Sequence, residues 1–372
     1  MKVLFLSPVR FRSMVGGRYA RLAEALLELG VSVSWIEPPL EGVVEGDPVN
    51  PPCGHGRFRL HPTPVARGSF FVRVARRERI QAEAVRKAFG GEDPPRALVV
   101  FDGGGTVLAR REARKRGAAL VLDLADRVHL FLENPLLRRL HRAFLARAAR
   151  GADAVTACSR ALVEDVRRWG RECVWIPNAA TPGPAPPRRE RPPGGPVRMV
   201  FAGALEPWVD PAPLVEVLRN SREASLTVAG EGRAREALLG AGIPEERIRF
   251  LGRIPYGEVP ALLEAHDLGI VPFRVDPLTD AASPLKLFDY WERALPVLST
   301  PFREARETGG VWFYRDAGEL AGRLREFAGA PEPFLASGRE GRRRVEREFN
   351  WRVQGRRFLE VLERAAARAS SR

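Results

Sequence analysis

The sequence predicts an α/β protein built from two Rossmann-like, doubly wound domains facing one another across a cleft. Short apolar or β-branched runs alternate with longer amphipathic stretches, the pattern of parallel strands joined by helices. The alternation stops at a Pro-rich stretch, TPGPAPPRRERPPGGP at 181–196, and then starts again. At 372 residues the chain exceeds one ordinary core but suits two domains of roughly 150–200 residues.

In the first half, Val3–Ser7 reads as a strand, followed by a Gly16-Gly17 turn. A helix from about Arg18 to Leu29 places Leu22, Ala23, Leu26 and Leu27 on one face, and Gly30 ends it. Val31–Glu37 is the second strand, and the Pro- and Gly-rich residues 38–68 read as an irregular excursion. Ser69–Phe89 and Val107–Arg116 read as basic helices around a strand at Ala97–Phe101. Strands follow at Leu120–Leu124, Asp153–Ala157 and Cys173–Ile176, with helices at about 136–149 and 160–169, the latter capped by Ser159.

Residues 181–196 form a semi-rigid linker between a domain of residues 1–180 and one of residues 197–350. The second domain opens on the strand Val197–Ala202, and Asp210 with Pro211 starts a helix. Strands at Ser225–Ala229, Ile248–Leu251, Leu268–Val271, Pro296–Ser299 and Val311–Phe313 alternate with helices near 232–239, 258–265, 285–293 and 317–327. Residues 351–372 form a last helix that packs back on the first domain.

Composition narrows the class. No apolar run approaches 18 residues, which argues against a membrane span. The apolar stretch at the start is too short for a signal peptide. Cys53, Cys158 and Cys173 are odd in number and lack metal-ligand spacing, so a reduced, cytoplasmic protein is expected. The formal charge is +14; residues 1–180 carry 30 Lys and Arg against 19 Asp and Glu, and residues 181–372 carry 30 against 27. The first domain is therefore expected to meet something anionic, such as a phosphorylated acceptor, an anionic lipid or a nucleic acid. With 56 Arg, four Lys and two Gln, the composition suggests a thermophile, and a retained Lys suggests a site needing a compact ammonium.

In doubly wound sheets, ligands bind beyond the carboxyl ends of strands. Gly16 and Gly17 lie there, free to bring backbone N–H groups to an anion at a helix start, or simply to make a turn. The pattern is not GxGxxG, which argues against a nicotinamide dehydrogenase. Gly103-Gly104-Gly105-Thr106 has a similar place. The run Leu122-Asp123-Leu124-Ala125-Asp126-Arg127-Val128-His129 puts two acids and a histidine at a strand end. Asp126 there is a candidate general base; the structural alternative is a cap or a pair with Arg127. In Ala282-Ser283-Pro284-Leu285-Lys286-Leu287-Phe288-Asp289-Tyr290, a hydroxyl, free helix donors and an ammonium converge where a diphosphate would sit. Asp289, on the same helical side, suits the two hydroxyls of a ribose; the structural alternative is a solvated Lys286–Asp289 pair.

SPLKLFDYWERALPVLS within Asp280–Ser299 resembles the donor-binding signature of GT-B glycosyltransferases of the group 1, 4-like class. VGGRYARLAEALLELGVSV, LVLDLADRVHLF, ADAVTACSRALVEDV, VWIPNAA, VFAGALEPWVDPAPL, LTVAGEG and IRFLGRIPYGEVPALLEAHDLGIVPF resemble other segments of that class, leaving out about residues 38–95. The resemblance implies sugar transfer from a nucleotide-diphosphate donor, UDP- or GDP-linked, without a bound metal or other cofactor. It implies that Ser283 and Lys286 hold the diphosphate and Asp289 the ribose. Arg253, Ile254 and Phe273 would bracket the base, and Gly16, Gly17 and Gly203 would line the phosphate and sugar pocket. Asp126 matches the proposed base of inverting, glucuronosyltransferase-type relatives acting on lipid-linked acceptors. Ala281 replaces the first Glu of the family's Glu-x7-Glu motif, Asp289 replaces the second, and ALEPWVDP lacks the frequent Arg/Lys pair. The expected partners are the donor, a glycan or lipid-linked acceptor of polysaccharide synthesis and, through the basic helices, the anionic inner face of a membrane; nucleic acid is not expected. A sugar-nucleotide epimerase of the same fold and a nucleic-acid-binding protein are the alternatives.

Overall fold

The computed structural model describes residues 1–7, 17–36, 56–61, 63–64, 70–102, 107–186 and 194–371. The chain divides into two units, Met1–Pro177 with Trp351–Arg372, and Asn178–Asn350.

The first unit contains β1 (Lys2–Leu6), α1 (Arg18–Glu28), β2 (Ser32–Ile36), β3 (Phe58–His61), α2 (Phe70–Ala88), β4 (Ala97–Phe101), α3 (Val107–Lys115), β5 (Ala119–Leu124), α4 (Pro135–Gly151), β6 (Ala154–Ala157), α5 (Arg160–Arg168) and β7 (Val174–Trp175). Its seven strands lie in the order β3-β2-β1-β4-β5-β6-β7, all neighbours parallel. Every residue of β4 and β5 is buried, as expected for central strands covered on both faces. Side chains start the helices: Asn134 accepts from the N–H groups of Leu136 and Leu137 ahead of Pro135, and Ser159 accepts from Leu162.

The second unit contains β8 (Val197–Ala202), α6 (Ala212–Asn220), β9 (Ala224–Ala229), α7 (Ala234–Leu239), β10 (Ile248–Gly252), α8 (Val259–Glu264), β11 (Leu268–Val271), α9 (Leu285–Glu292), β12 (Val297–Ser299), α10 (Arg303–Thr308), β13 (Trp312–Phe313), α11 (Ala317–Gly329) and α12 (Glu332–Arg347). Its six strands run β10-β9-β8-β11-β12-β13, again parallel. The final helix α13 (Trp351–Ser370) belongs to the first unit and packs on α1 and β5. In both sheets the winding reverses beside the first strand, between β1 and β4 and between β8 and β11. Each reversal leaves a crevice at the carboxyl ends.

Two readings of the sequence are corrected. The stretch 38–68, read as irregular, contains β3, a short half-buried strand beside β2. Helices α10 and α12 fall where none was expected. The start of α6 agrees with the sequence: Asp210 accepts from the Ala212 N–H at 3.2 Å, and Pro211 after it already has helical backbone angles, φ −79° and ψ −15°. Among the described residues no helix is long and apolar enough to cross a membrane.

Two glycines test the packing. A Cβ on Gly355 of α13 would lie 2.6 Å from the Cβ of Ala25 on α1, so Gly355→Val should destabilise the first unit by about 1–3 kcal/mol through overpacking. Gly322 of α11 has open space around it, so Gly322→Ala should stabilise the second unit by ~0.5–1 kcal/mol through helix propensity. Chemical denaturation of the two variants checks both signs.

Candidate functional site

In the second unit the candidate residues gather at the carboxyl ends of β8 and β11. Lys286 stands in the first turn of α9, its ammonium 4.2 Å from the ring centre of Phe201 and 4.8 Å from that of Phe273. Both rings offer it a negative face. Burial among them lowers its pKa to about 7, against the opposing pull of Asp289. The backbone makes room for this cation. A Cβ on Gly203 would lie 3.0 Å from Lys286 Cε and 3.1 Å from Nζ, and Gly203 has a φ of +138°. Behind it, the loop after β9 presses in: a Cβ on Gly230 would lie 1.9 Å from the Gly203 carbonyl oxygen.

Tyr290 fixes the helix. Its hydroxyl accepts from the Ala202 N–H at 3.0 Å and donates to the Ile270 carbonyl at 3.4 Å, bridging β8 and β11. Its ring fills the space left by Gly269. Asp289, one residue earlier, accepts from the Tyr256 hydroxyl at 2.9 Å. That bond ties α9 to the loop after β10 that carries exposed Arg253 and half-buried Ile254. Phe273, expected beside those two, lies at the β11 end, buried under Lys286 and tilted against Phe302 with ring centres 5.5 Å apart. Ser283 is buried, and its hydroxyl accepts from the Asn178 N–H at 3.4 Å while its carbonyl accepts from the Asn178 side chain at 2.5 Å. Gly183 and Pro184 are held to the far end of α9 through Glu292 and Arg293.

In the first unit, Gly17 is the cap position of α1; Gly16 and the run Gly103–Thr106 lie outside the described residues. The next two residues, Arg18 and Tyr19, organise the crevice. Arg18 is buried and binds both oxygens of Asp123 at 2.7 and 2.8 Å and the Ile176 carbonyl at 2.8 Å. Thr156 donates to the same carboxylate at 2.6 Å, so Asp123 is fully engaged by structure. Arg127 pairs with Asp165 at 2.8 Å rather than with Asp126. His129 is half-buried, and burial and then Arg142 lower its pKa.

Asp126 remains at the mouth of the crevice, partly exposed. Desolvation first, then the charge of Asp102, raises its pKa to about 8, while Arg18 opposes the shift. Asp102, at the end of β4, has an unusual φ of +49° and accepts from the Tyr19 hydroxyl and from the Ala125 N–H at 2.6 Å. Reading the strand ends missed Arg18, Tyr19, Asp102, Tyr256 and Tyr290. The available signal was position, since Arg18-Tyr19 follows the glycine pair and Asp102 directly follows a strand.

Among the described residues, no three or more His, Cys, Asp or Glu side chains gather to hold a metal ion. A cavity of about 690 Å³ lined by Arg167, Arg171, Arg364 and Arg368 opens at the amino-terminal starts of β6 and β7, away from all these groups.

Comparison with known proteins follows the same division. Residues 15–179 match the glycosyl transferase 4-like domain, and residues 196–329 match the glycosyl transferases group 1 domain. No curated protein matches the chain. Among solved structures, sucrose-phosphate synthase from Thermosynechococcus elongatus is similar over 99% of this chain and 100% of its own, with a TM-score of 0.78 at 15% identity. HepE from Anabaena in complex with UDP-glucose is similar over 98% and 99%, with a TM-score of 0.71 at 15% identity. WaaG, a glycosyltransferase involved in lipopolysaccharide biosynthesis, is similar over 96% and 99%, with a TM-score of 0.65 at 16% identity.

Asp126 should leave a mark on stability. A carboxyl whose folded pKa is raised stabilises the fold fully below its unfolded pKa, and this contribution is lost as pH rises through the folded value of about 8. Asp126→Asn should therefore be more stable than the natural protein at pH 8, with the advantage shrinking towards pH 4. Urea denaturation at both pH values measures the difference.

Proposed function

We propose that this chain, which belongs to the group 1 glycosyltransferases built on the GT-B fold, moves a sugar from a UDP- or GDP-linked donor to a hydroxyl of a glycan or lipid-linked acceptor. The pathway proposed is assembly of an envelope or capsular polysaccharide at the cytoplasmic face of a membrane. The observation that carries the reading is the place of Lys286 in the first turn of α9, beside a glycine backbone at the strand switch. A diphosphate there would meet free helix N–H groups, the positive end of the helix and an ammonium. The complex of HepE with UDP-glucose supports UDP as the nucleotide.

In this mechanism the bond between the anomeric carbon and the diphosphate breaks as the acceptor oxygen bonds to that carbon. The electron pair leaves on the phosphate oxygen, where Lys286 stabilises it. The acceptor's proton passes to the carboxylate of Asp126, a stronger base for its raised pKa. Asp289 and Tyr256 would hold the ribose, and Arg253 and Ile254 would flank the base. Phe273 would act through the seat of Lys286.

The lipid-linked acceptor has its support on α4, which carries five arginines and no acidic residue. Leu136, Leu137 and Leu140 are 64%, 51% and 57% exposed, and Phe131 in the preceding turn is 51% exposed. Exposed leucines among arginines suit an anionic bilayer surface, where each basic residue contributes about 1 kcal/mol.

Three measurements check this reading. Lys286→Ala should lose ~2–4 kcal/mol in kcat/KM, and full activity would remove the diphosphate assignment. Asp126→Asn should abolish transfer with donor affinity nearly unchanged; loss of donor binding instead would make Asp126 structural. Cosedimentation with vesicles should require anionic lipid, fade at about 0.5 M salt, and weaken when Leu136, Leu137 and Leu140 become Ser.

A further inference from the structure

We propose that Asp102 is the positioning residue of the base: held by the Tyr19 hydroxyl, it grips the backbone of residues 125 and 126 and sets the place and charge state of the Asp126 carboxylate. The inference rests on Asp126 acting as the base.

The geometry is specific. Asp102 Oδ1 accepts from the Ala125 N–H at 2.6 Å and from the Asp126 N–H at 3.3 Å, while Oδ2 accepts from Tyr19. One carboxylate thus spends both oxygens holding two elements, α1 on one side and the turn after β5 on the other. The turn is held from a third side, where the Cys158 thiol, just past β6, donates to the Ala125 carbonyl at 3.0 Å. Asp102 is only 8% exposed, and its φ of +49° is one that non-glycine residues rarely adopt. Strain of that kind persists where surrounding bonds over-determine the residue, and here three donors hold its carboxylate. Tyr19 is buried against Phe101, with ring centres 4.3 Å apart, and burial with Asp102 raises its pKa well above the usual value, so it remains a donor.

Among the described residues the charges acting on Asp126 are Asp102 from the end of β4 and Arg18 from the start of α1, and Tyr19 of α1 is neutral. Burial raises the pKa of Asp102 to about 6, below that of its neighbour because Tyr19 and the two backbone donors favour its charged form. The two carboxyls therefore ionise in order, Asp102 first. Its negative charge then makes Asp126 hold its proton longer and bind an acceptor proton more strongly once ionised.

The test is a pH titration of the full chain labelled with carbon-13 at aspartate carboxyls, the Asp126 resonance being the one absent from Asp126→Asn. Asp102→Asn keeps an acceptor for the backbone N–H groups and removes only the charge, so the Asp126 midpoint should fall by about one pH unit or more. Tyr19→Phe keeps the charge and removes the anchor, so the Asp102 midpoint should rise. With a donor and acceptor in hand, Asp102→Asn should lower kcat at least tenfold at unchanged donor KM, and the rising limb of its pH profile should move to lower pH. Unmoved midpoints in folded variants would overturn the proposal. Should Asp102→Asn not fold, an unmoved Asp102 midpoint in Tyr19→Phe decides against it. Persistent transfer by Asp126→Asn would instead overturn the base itself, an outcome independent of the titration.

Discussion

The second unit seats a cation at the mouth of its sheet against a backbone that glycine alone adopts without strain, Gly203 with a φ of +138°. Any Cβ there would press on the Lys286 side chain at 3.0 Å. The constraint propagates backwards. The loop after β9 closes on the same backbone, with Gly230 against the Gly203 carbonyl and Gly232 against that of Leu205, contacts that any larger residue would forbid. Forwards, it requires that α9 be held in register, which Tyr290 does by bonding to β8 and β11 at once. Ammonium, glycine loop and helix are therefore one assembly. Its low polarity, set by Phe201 and Phe273, keeps the Lys286 ammonium poorly solvated.

The first unit distributes its acids unequally, giving most of them close donors and leaving one carboxyl with few. Asp123 is neutralised by Arg18 and Thr156, and Asp165 by Arg127, which removes two competing acids. Asp102 is kept ionisable by donors on both oxygens. Asp126 has a backbone bond but, among the described residues, no guanidinium of its own, and burial with the charge of Asp102 raises its pKa to about 8. Perturbed carboxylates of this kind cluster at functional sites, which is the ground for proposing Asp126 as the base.

The alternation of strands and helices was legible because parallel strands buried on both faces read as continuous apolar runs, as in ALVVF and ALVLDL. The Lys286–Asp289 segment was legible because both chemistry-bearing residues lie within one helical turn. What escaped notice depends on long-range contact. Gly338 and Gly341 are poor helix formers, yet within α12 they are where the helix packs on Ala294 and Trp291 of the second unit, at distances no Cβ would allow. The four-residue β3 carries too short a pattern to distinguish from loop. Asp102 and Tyr19 are 83 positions apart, so their partnership exists only once β4 and α1 are in place.

The central claim is that the α9 face binds a nucleoside diphosphate, and calorimetric titration of UDP and GDP at pH 8, in two buffers of different ionisation enthalpy, tests it most directly. Free Lys286 is mostly neutral at that pH, and a bound diphosphate would draw a proton onto it. The account expects saturable binding of one nucleotide per chain with net proton uptake, both lost in Lys286→Ala. Absence of saturable binding for both nucleotides, or binding unchanged in Lys286→Ala with no proton taken up, would contradict it.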